Sequence, residues 1–318
     1  MSATLAAGAA LRRAGRGLRR VLLEPEYPLL ALEVRPRALA AVRLAREGGR
    51  LGLGAAGVVD LPAEALNVTM TRPNIVDRES FQGAIRAALE RVGALAGGPV
   101  SLVLPDSALR LALVSAEGLR RRSAEADEVV RFRLHKALPF DVRAARLAWE
   151  PGAAGQVLVA VALDEVVKQY EESLEALGFH VGLVEAASLA LLDVGGDESS
   201  EDRLLVNWDV GYVSFLLVRG NDTILARTLP GEADPVSVAR QATSTLQFYR
   251  DRLGGTALAD ACVRAGACPV DEALDALTPA LGLRPRPIEP WALLGATAPD
   301  PLSQALAGAV ACARRRAA

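Results

Sequence analysis

One order of elements can be read twice along this chain: three strands, a helix, a strand and a helix. The repetition implies two related α/β halves. In the first reading, strands run from Leu29 through Val34, from Ala38 to Leu44, and from near Leu51 to Val59, with a turn at Glu47-Gly48-Gly49. Phe81, Ile85, Ala88, Leu89 and Val92 then recur at helical spacing, Gly97-Gly98 ends that run, and VSLVLP is the next strand. The second reading starts at Leu204 with LLVNWD, VSFLLV, a turn at residues 219–222, and TILARTL. A helix from Asp234 to Leu253, closed by Gly254-Gly255, follows, then the strand ACVRAG, the helix DEALDALTPALG, and a last helix from Pro301 to Arg316. Aligned on their first corners, the readings set Glu33-Val34-Arg35 against Asp209-Val210-Gly211.

Between the halves lies a segment with its own signals. Ser123 reads as an N-cap with acidic residues in the first turn behind it, Val130, Leu134 and Leu138 share one face, and Pro139 stops the helix. QVLVAVAL is a strand, DEVVKQYEESLEALG a helix capped by Asp164, and HVGLVEA a strand returning to the first half. The expected division is a basic tail at 1–24, a first half at 25–104 and 185–202, an inserted small α+β subdomain at 105–184, and a second half at 203–318. The loop GGDESSEDR serves as the linker.

A length of 318 residues with 51% hydrophobic content supplies two compact units more readily than one. Lys and Arg number 36 against 38 Asp and Glu, a net charge of -2, so there is no overall field to gather nucleic acid. Cys262, Cys268 and Cys312 form no C-x-x-C pair, and the histidines are only His135 and His180. A reducing compartment and no metal site follow. No apolar run approaches the roughly 20 residues of a spanning helix. Arg12, Arg13, Arg16, Arg19 and Arg20 concentrate charge before the first strand. That segment lacks the apolar stretch and cleavage site of a signal peptide, and reads either as a solvated tail or as a basic helix in peripheral contact with anionic lipid.

VVRFRLHKALPFDV, the strand around Trp149, VLVAVAL and EVVKQYEESLEALGFHVGLVEAASLAL follow one another in an order that resembles the PilM-like type IV pilus assembly proteins of the actin-like (FtsA/PilM) superfamily. DVG with a downstream LARTLPG, and LQFYRDRLGG, are similar too. The resemblance implies an α/β, actin-like fold of two ribonuclease-H-like halves around a cleft. It also implies ATP with magnesium in that cleft, and a scaffold at the cytoplasmic face of the inner membrane. That scaffold grips the cytoplasmic N-terminal peptide of a PilN-like protein and meets other components of the pilus machine.

Carried onto this chain, the nucleotide positions are Asp209, Gly211, Gly231 and Gly266. The first phosphate loop departs from the pattern: at Glu33-Val34-Arg35-Pro36-Arg37, proline removes an N–H and arginines stand where glycine and hydroxyl residues make room. Tyr212 adds bulk, Glu232 sets a negative charge after Gly231, and Gly266 is followed by Ala267. A lost or weakened nucleotide site is the preferred expectation. Asp209 stays open between a magnesium carboxylate and a turn acid whose neighbour Gly211 supplies a special backbone angle.

No catalytic residue has a local motif. Pro139 and Phe140 are the expected partner contacts, because a helix-ending proline fixes the direction of the next aromatic side chain. A peptide groove is expected where the inserted subdomain meets the first half. A non-catalytic adaptor is preferred; the alternatives are an ATP-hydrolysing or sugar-kinase-like enzyme and the actin-like part of a type II secretion platform.

Overall fold

The computed structural model describes residues 28–47, 50–119, 123–152, 155–192, 194, 201–231, 234–294 and 303–315. The basic tail at 1–24, the two glycines of the first turn, most of the acidic linker and Glu232 lie outside these residues.

The expected repeat is present as two five-stranded sheets of identical topology. In the first, β1 (Leu30–Arg35), β2 (Ala38–Glu47) and β3 (Arg50–Asp60) form an antiparallel meander. β4 (Gly98–Leu104) pairs parallel to β1, and β8 (Phe179–Ala186) parallel to β4. The order is therefore β3-β2-β1-β4-β8. The second sheet repeats it as β11-β10-β9-β12-β13, from β9 (Asp202–Asp209), β10 (Tyr212–Arg219), β11 (Asp222–Pro230), β12 (Asp260–Ala265) and β13 (Arg286–Pro287). Short loops make the meanders, while the parallel strands need longer crossovers that carry helices. In the first half these are α1 (Arg78–Arg91) between β3 and β4, and α3 (Asp164–Glu175) before β8; α4 (Ala187–Leu192) follows β8. In the second they are α5 (Pro235–Leu253) and α6 (Val270–Leu281).

Helix starts follow local chemistry. Asp77, Ser123 and Asp234 each accept a backbone N–H from three residues on, and Pro235 takes the first helical position after its cap. Asp164 is not the cap expected of it: α3 begins at that residue, and its carboxylate pairs with Arg146 and Lys168.

A third, three-stranded sheet runs β5-β7-β6, built from β5 (Arg110–Ser115), β6 (Ala145–Pro151) and β7 (Gln156–Leu163). α2 (Ala124–Leu134) covers it with Ala126, Val130 and Leu134, over a core that includes Val142, Trp149, Val157, Val159 and Val161. This unit is smaller than the stretch 105–184 expected from sequence. α3 turns Val166, Val167, Tyr170 and Leu174 into the core of the first half, where Tyr170 donates to Asn74 and meets Phe81 edge-on. β8 is the outer strand of the first sheet.

The last helix, α7 (Ser303–Arg315), falls within the stretch 203–318 of the expected division. It packs on β1 and β2 and on α4, and reaches β12. Its run of Ala, Gly, Val and Cys lets backbones approach closely, so it seats between the two sheets. Leu205, Leu216, Cys262, Ile288 and Trp291 of the second half join the core of the first around it.

Gly97 and Gly83 offer a paired check on this packing. Gly97 has φ +72°, and a Cβ there would overlap the Gly178 carbonyl oxygen; Gly83 lies within α1 with open space around it. Gly97→Ala should lower the unfolding free energy by about 2 kcal/mol or more. Gly83→Ala should raise it by roughly 0.5–1 kcal/mol through helix propensity. Denaturant titration of both variants measures this, and equal effects would contradict the packing described.

Candidate functional site

Alternation along three strands collects charged side chains on one buried surface. In β9, Leu204, Val206 and Trp208 point to the core beneath α5 and α6, so Leu205, Asn207 and Asp209 point to the junction with the first half. In β12 the same alternation sends Ala261 and Val263 to the helices and Cys262 and Arg264 to the junction. β1 contributes Glu33 and Arg35. All four charged groups are buried, with Glu33 and Arg264 at 0% exposure and Asp209 at 1%.

They neutralise one another across the junction. Arg35 grips Asp209 with Nε to Oδ2 and Nη2 to Oδ1, both at 2.8 Å, and the same Nη2 donates to the Gly266 carbonyl at 3.0 Å. Arg264 Nη1 stands 2.7 Å from Glu33 Oε1 and 3.5 Å from Asp209 Oδ2. Arg264 Nε donates to the Gln304 carbonyl at 3.0 Å, and the Ala309 backbone N–H donates to Glu33 Oε2 at 3.0 Å, so α7 closes the far side. Gly308 makes this possible, since a Cβ there would lie 2.5 Å from Glu33 Oε2.

A second polar cluster adjoins the ion pairs. Asp106, just after β4, accepts the backbone N–H of Ser188 at 3.0 Å, the Ser188 hydroxyl, and Asn207 Nδ2 at 3.0 Å. Asn207 Nδ2 also points to Tyr212 Oη at 3.3 Å. Burial, reinforced by the Asp106 charge, raises the Tyr212 hydroxyl well above its ordinary range.

The two carboxylates respond in opposite ways. At Asp209 burial pushes the pKa up, but Arg35, then Arg264 and the hydrogen bonds from Arg35 and the Val210 N–H outweigh it, and the group lies below its ordinary value. At Glu33 burial outweighs the pull of Arg264 and Arg35, and the group lies above its ordinary value.

The sequence-derived nucleotide positions do converge here. Asp209 ends β9; Gly211 follows at φ +77°; Gly231, at φ +117°, donates its N–H to the Gly211 carbonyl at 2.8 Å; and Gly266 donates to the Trp208 carbonyl at 2.7 Å. The residues present do not fit ATP with magnesium. A hydrated magnesium needs carboxylate oxygens open to its waters. Both oxygens of Asp209 instead accept from Arg35, and Oδ1 also accepts from the Val210 N–H at 2.8 Å. The close backbone approach that Gly266 would offer a ligand is taken up by protein: a Cβ there would lie 2.6 Å from Arg35 Nη2 and 2.8 Å from Asp209 Oδ1. Of Asp209's two readings, magnesium carboxylate or turn acid, neither describes it fully, because its partner is an arginine from the other half.

Arg264, Asn207, Asp106, Ser188 and Gln304 were not singled out by sequence. The available signal was Arg264, a charge at an inward strand position between Val263 and Ala265.

Pro139 and Phe140 lie elsewhere, on the three-stranded unit. Pro139 is exposed and Phe140 half-buried against that unit's core. Phe140 lines a cleft of about 620 Å³ with Phe132, Glu128, Arg131, His135 and Arg143. All its lining residues come from α2 and the turn after it, not from a junction with the first half as expected. Phe132 is 82% exposed.

No protein-family profile matches the chain, and no curated protein matches it. A solved structure described as the PilM-PilN type IV pilus biogenesis complex contains a chain similar to this one over 92% of this chain and 100% of that chain. Its TM-score is 0.75 and its sequence identity 19%. A Bacteroides thetaiotaomicron protein described as having an actin-like ATPase fold and unknown function aligns over 84% of this chain and 95% of its own, with TM-score 0.49 and 8% identity. The cytoplasmic domain of EpsL, an inner membrane component of the Vibrio cholerae type II secretion system, aligns over 76% and 83%, with TM-score 0.46 and 14% identity. The fold is actin-like, and the first of these likenesses spans both halves and the inserted unit.

Asp209 makes the charge arrangement testable by pH. Its folded pKa lies below the ordinary 3.8, so its contribution to stability is present above that value and is lost as pH falls through the folded pKa. Glu33, raised, works in the opposite sense: its contribution is present at low pH and is lost as pH rises through its folded pKa. Asp209→Asn should therefore cost more at neutral pH than Glu33→Gln, about 3 kcal/mol against roughly 1 kcal/mol, because the first breaks the two-point grip of Arg35 and takes a charge from beside Arg264 as well, whereas after the second Arg264 still has Asp209 at 3.5 Å. The Asp209→Asn penalty should shrink below about pH 4. Urea unfolding of both variants across pH measures this; a pH-independent Asp209→Asn penalty would rule out the charge assignment.

Proposed function

We propose that this chain is a non-catalytic cytoplasmic scaffold of a type IV pilus or related secretion machine. In this reading it works at the inner-membrane face and holds the cytoplasmic N-terminal peptide of a PilN-like membrane protein. The observation that carries the proposal is a full-length likeness to a chain of the PilM-PilN complex, combined with a cleft whose carboxylates are spent on arginines. Phosphoryl transfer needs a carboxylate free to orient a nucleophile and a cradle for phosphate. Glu33 and Asp209 are held by Arg264 and Arg35 instead, which favours the scaffold over the kinase-like reading.

Among the described residues no helix is long and apolar enough to cross a membrane. The inserted unit of β5, β6, β7 and α2 is the element we assign to the membrane partner. β1 to β4, α1, α3, β8, α4 and α7 then make the first half, and the remaining elements the second. Phe140 has the attributes of an anchor contact. It is held by its own core, follows the exposed Pro139, and lies beside the largely exposed Phe132, so a partner would bury new apolar area against a preset surface.

Titration with a synthetic peptide corresponding to the cytoplasmic N-terminus of a PilN-like membrane protein from the same organism should give saturable binding. Phe140→Ala should weaken it by about 2 kcal/mol, roughly thirtyfold. Absence of binding to folded wild type would overturn the adaptor role, and binding unaffected by Phe140→Ala would move the contact elsewhere. Steady-state phosphate release from ATP that Asp209→Ala abolishes would overturn the non-catalytic assignment.

A further inference from the structure

Each of the closest charge pairings in the cleft joins one half to the other. Arg35 and Glu33 stand on β1 of the first sheet, while Asp209 and Arg264 stand on β9 and β12 of the second. The pairs are crossed: the cation of one and the anion of the other come from the same half. We infer that this crossed quartet is a latch that fixes the two halves in a single closed arrangement with no ligand between them.

The holding energy and the register come from different sources. Leu205, Leu216, Cys262, Ile288 and Trp291 bury apolar surface against the core of the first half, and that burial resists separation. Apolar contact is tolerant of sliding. The quartet is not, because a small displacement between the sheets breaks the two-point grip of Arg35 on Asp209 and leaves buried charges short of their partners. α7 adds a third constraint, since Ala309 N–H holds Glu33 of the first half while the Gln304 carbonyl holds Arg264 of the second. One relative position satisfies all of these contacts together. A chain so latched does not open and close with magnesium-ATP.

The inference goes beyond the adaptor reading, and neither outcome below bears on peptide capture. The test places spin labels at Glu90→Cys on α1 and Arg240→Cys on α5, both exposed, in a Cys268→Ser background; Cys262 and Cys312 are buried. Pulsed dipolar measurement should give one narrow distance distribution, unchanged by saturating magnesium-ATP. Arg35→Met should broaden it or add a longer distance. If that variant does not fold, Arg35→Met with Asp209→Leu removes both charges and should fold, because hydrophobic replacement of a complete buried pair is commonly tolerated. Broadening in the folded double variant supports the latch. A wild-type distribution that shifts with magnesium-ATP, or a folded double variant with the narrow wild-type distribution, overturns it.

Discussion

Arg35 meets Asp209 through two hydrogen bonds of 2.8 Å, and the junction between the sheets is arranged around that grip. Taking a guanidinium and a carboxylate out of water costs several kcal/mol per ion, and their attraction offsets this only when geometry is good and the remaining polar atoms are satisfied. Here the geometry is two-pointed, and the Gly266 carbonyl and the Val210 N–H take up further valences. The pair gives little net stability over an apolar filling of the same volume. It gives position, and the second pair, Glu33 with Arg264, repeats the constraint from the other side.

Small residues make the arrangement possible. Gly266 leaves room for the guanidinium over the end of β12, and Gly308 lets a helix backbone reach a buried carboxylate. A methyl group at either place would meet charged atoms at under 3 Å. The alanines beside Gly308 serve the same end over a longer stretch, allowing α7 to lie between two sheets without forcing them apart.

Much of the fold was legible because it rests on local signals. Both meanders are built from period-two strands joined by short turns, and Ser123 with Asp127 behind it marks a helix start from a few adjacent residues. What local pattern does not carry is which sheet an element joins. α7 reads as a helix with no local sign that it packs on β1 and β2, whereas the return of β8 to the first half, where it pairs with β4 from 81 positions away at Gly98 and Phe179, was read from the order of elements along the chain. The candidate site divided in the same way. Arg35 was visible as a residue that does not belong in a phosphate loop, whereas its partner lies 174 positions further on. Arg264 was legible only as a charge on an inward-facing strand position, a signal that asks for a partner without naming one.

The seating of α7 also sets an order for assembly on the ribosome. The bond between Ala309 and Glu33 spans 276 positions, so the first half lacks one of its layers until residues 303–315 have been made. The second sheet and its two helices form a nearly contiguous stretch from Asp202 to Pro287, and their pairings are complete before α7 emerges. Domains generally fold as their residues become available. In this chain, the half that is synthesised first is the half that finishes last, and until then the inward faces of β1 and β2 lack their cover.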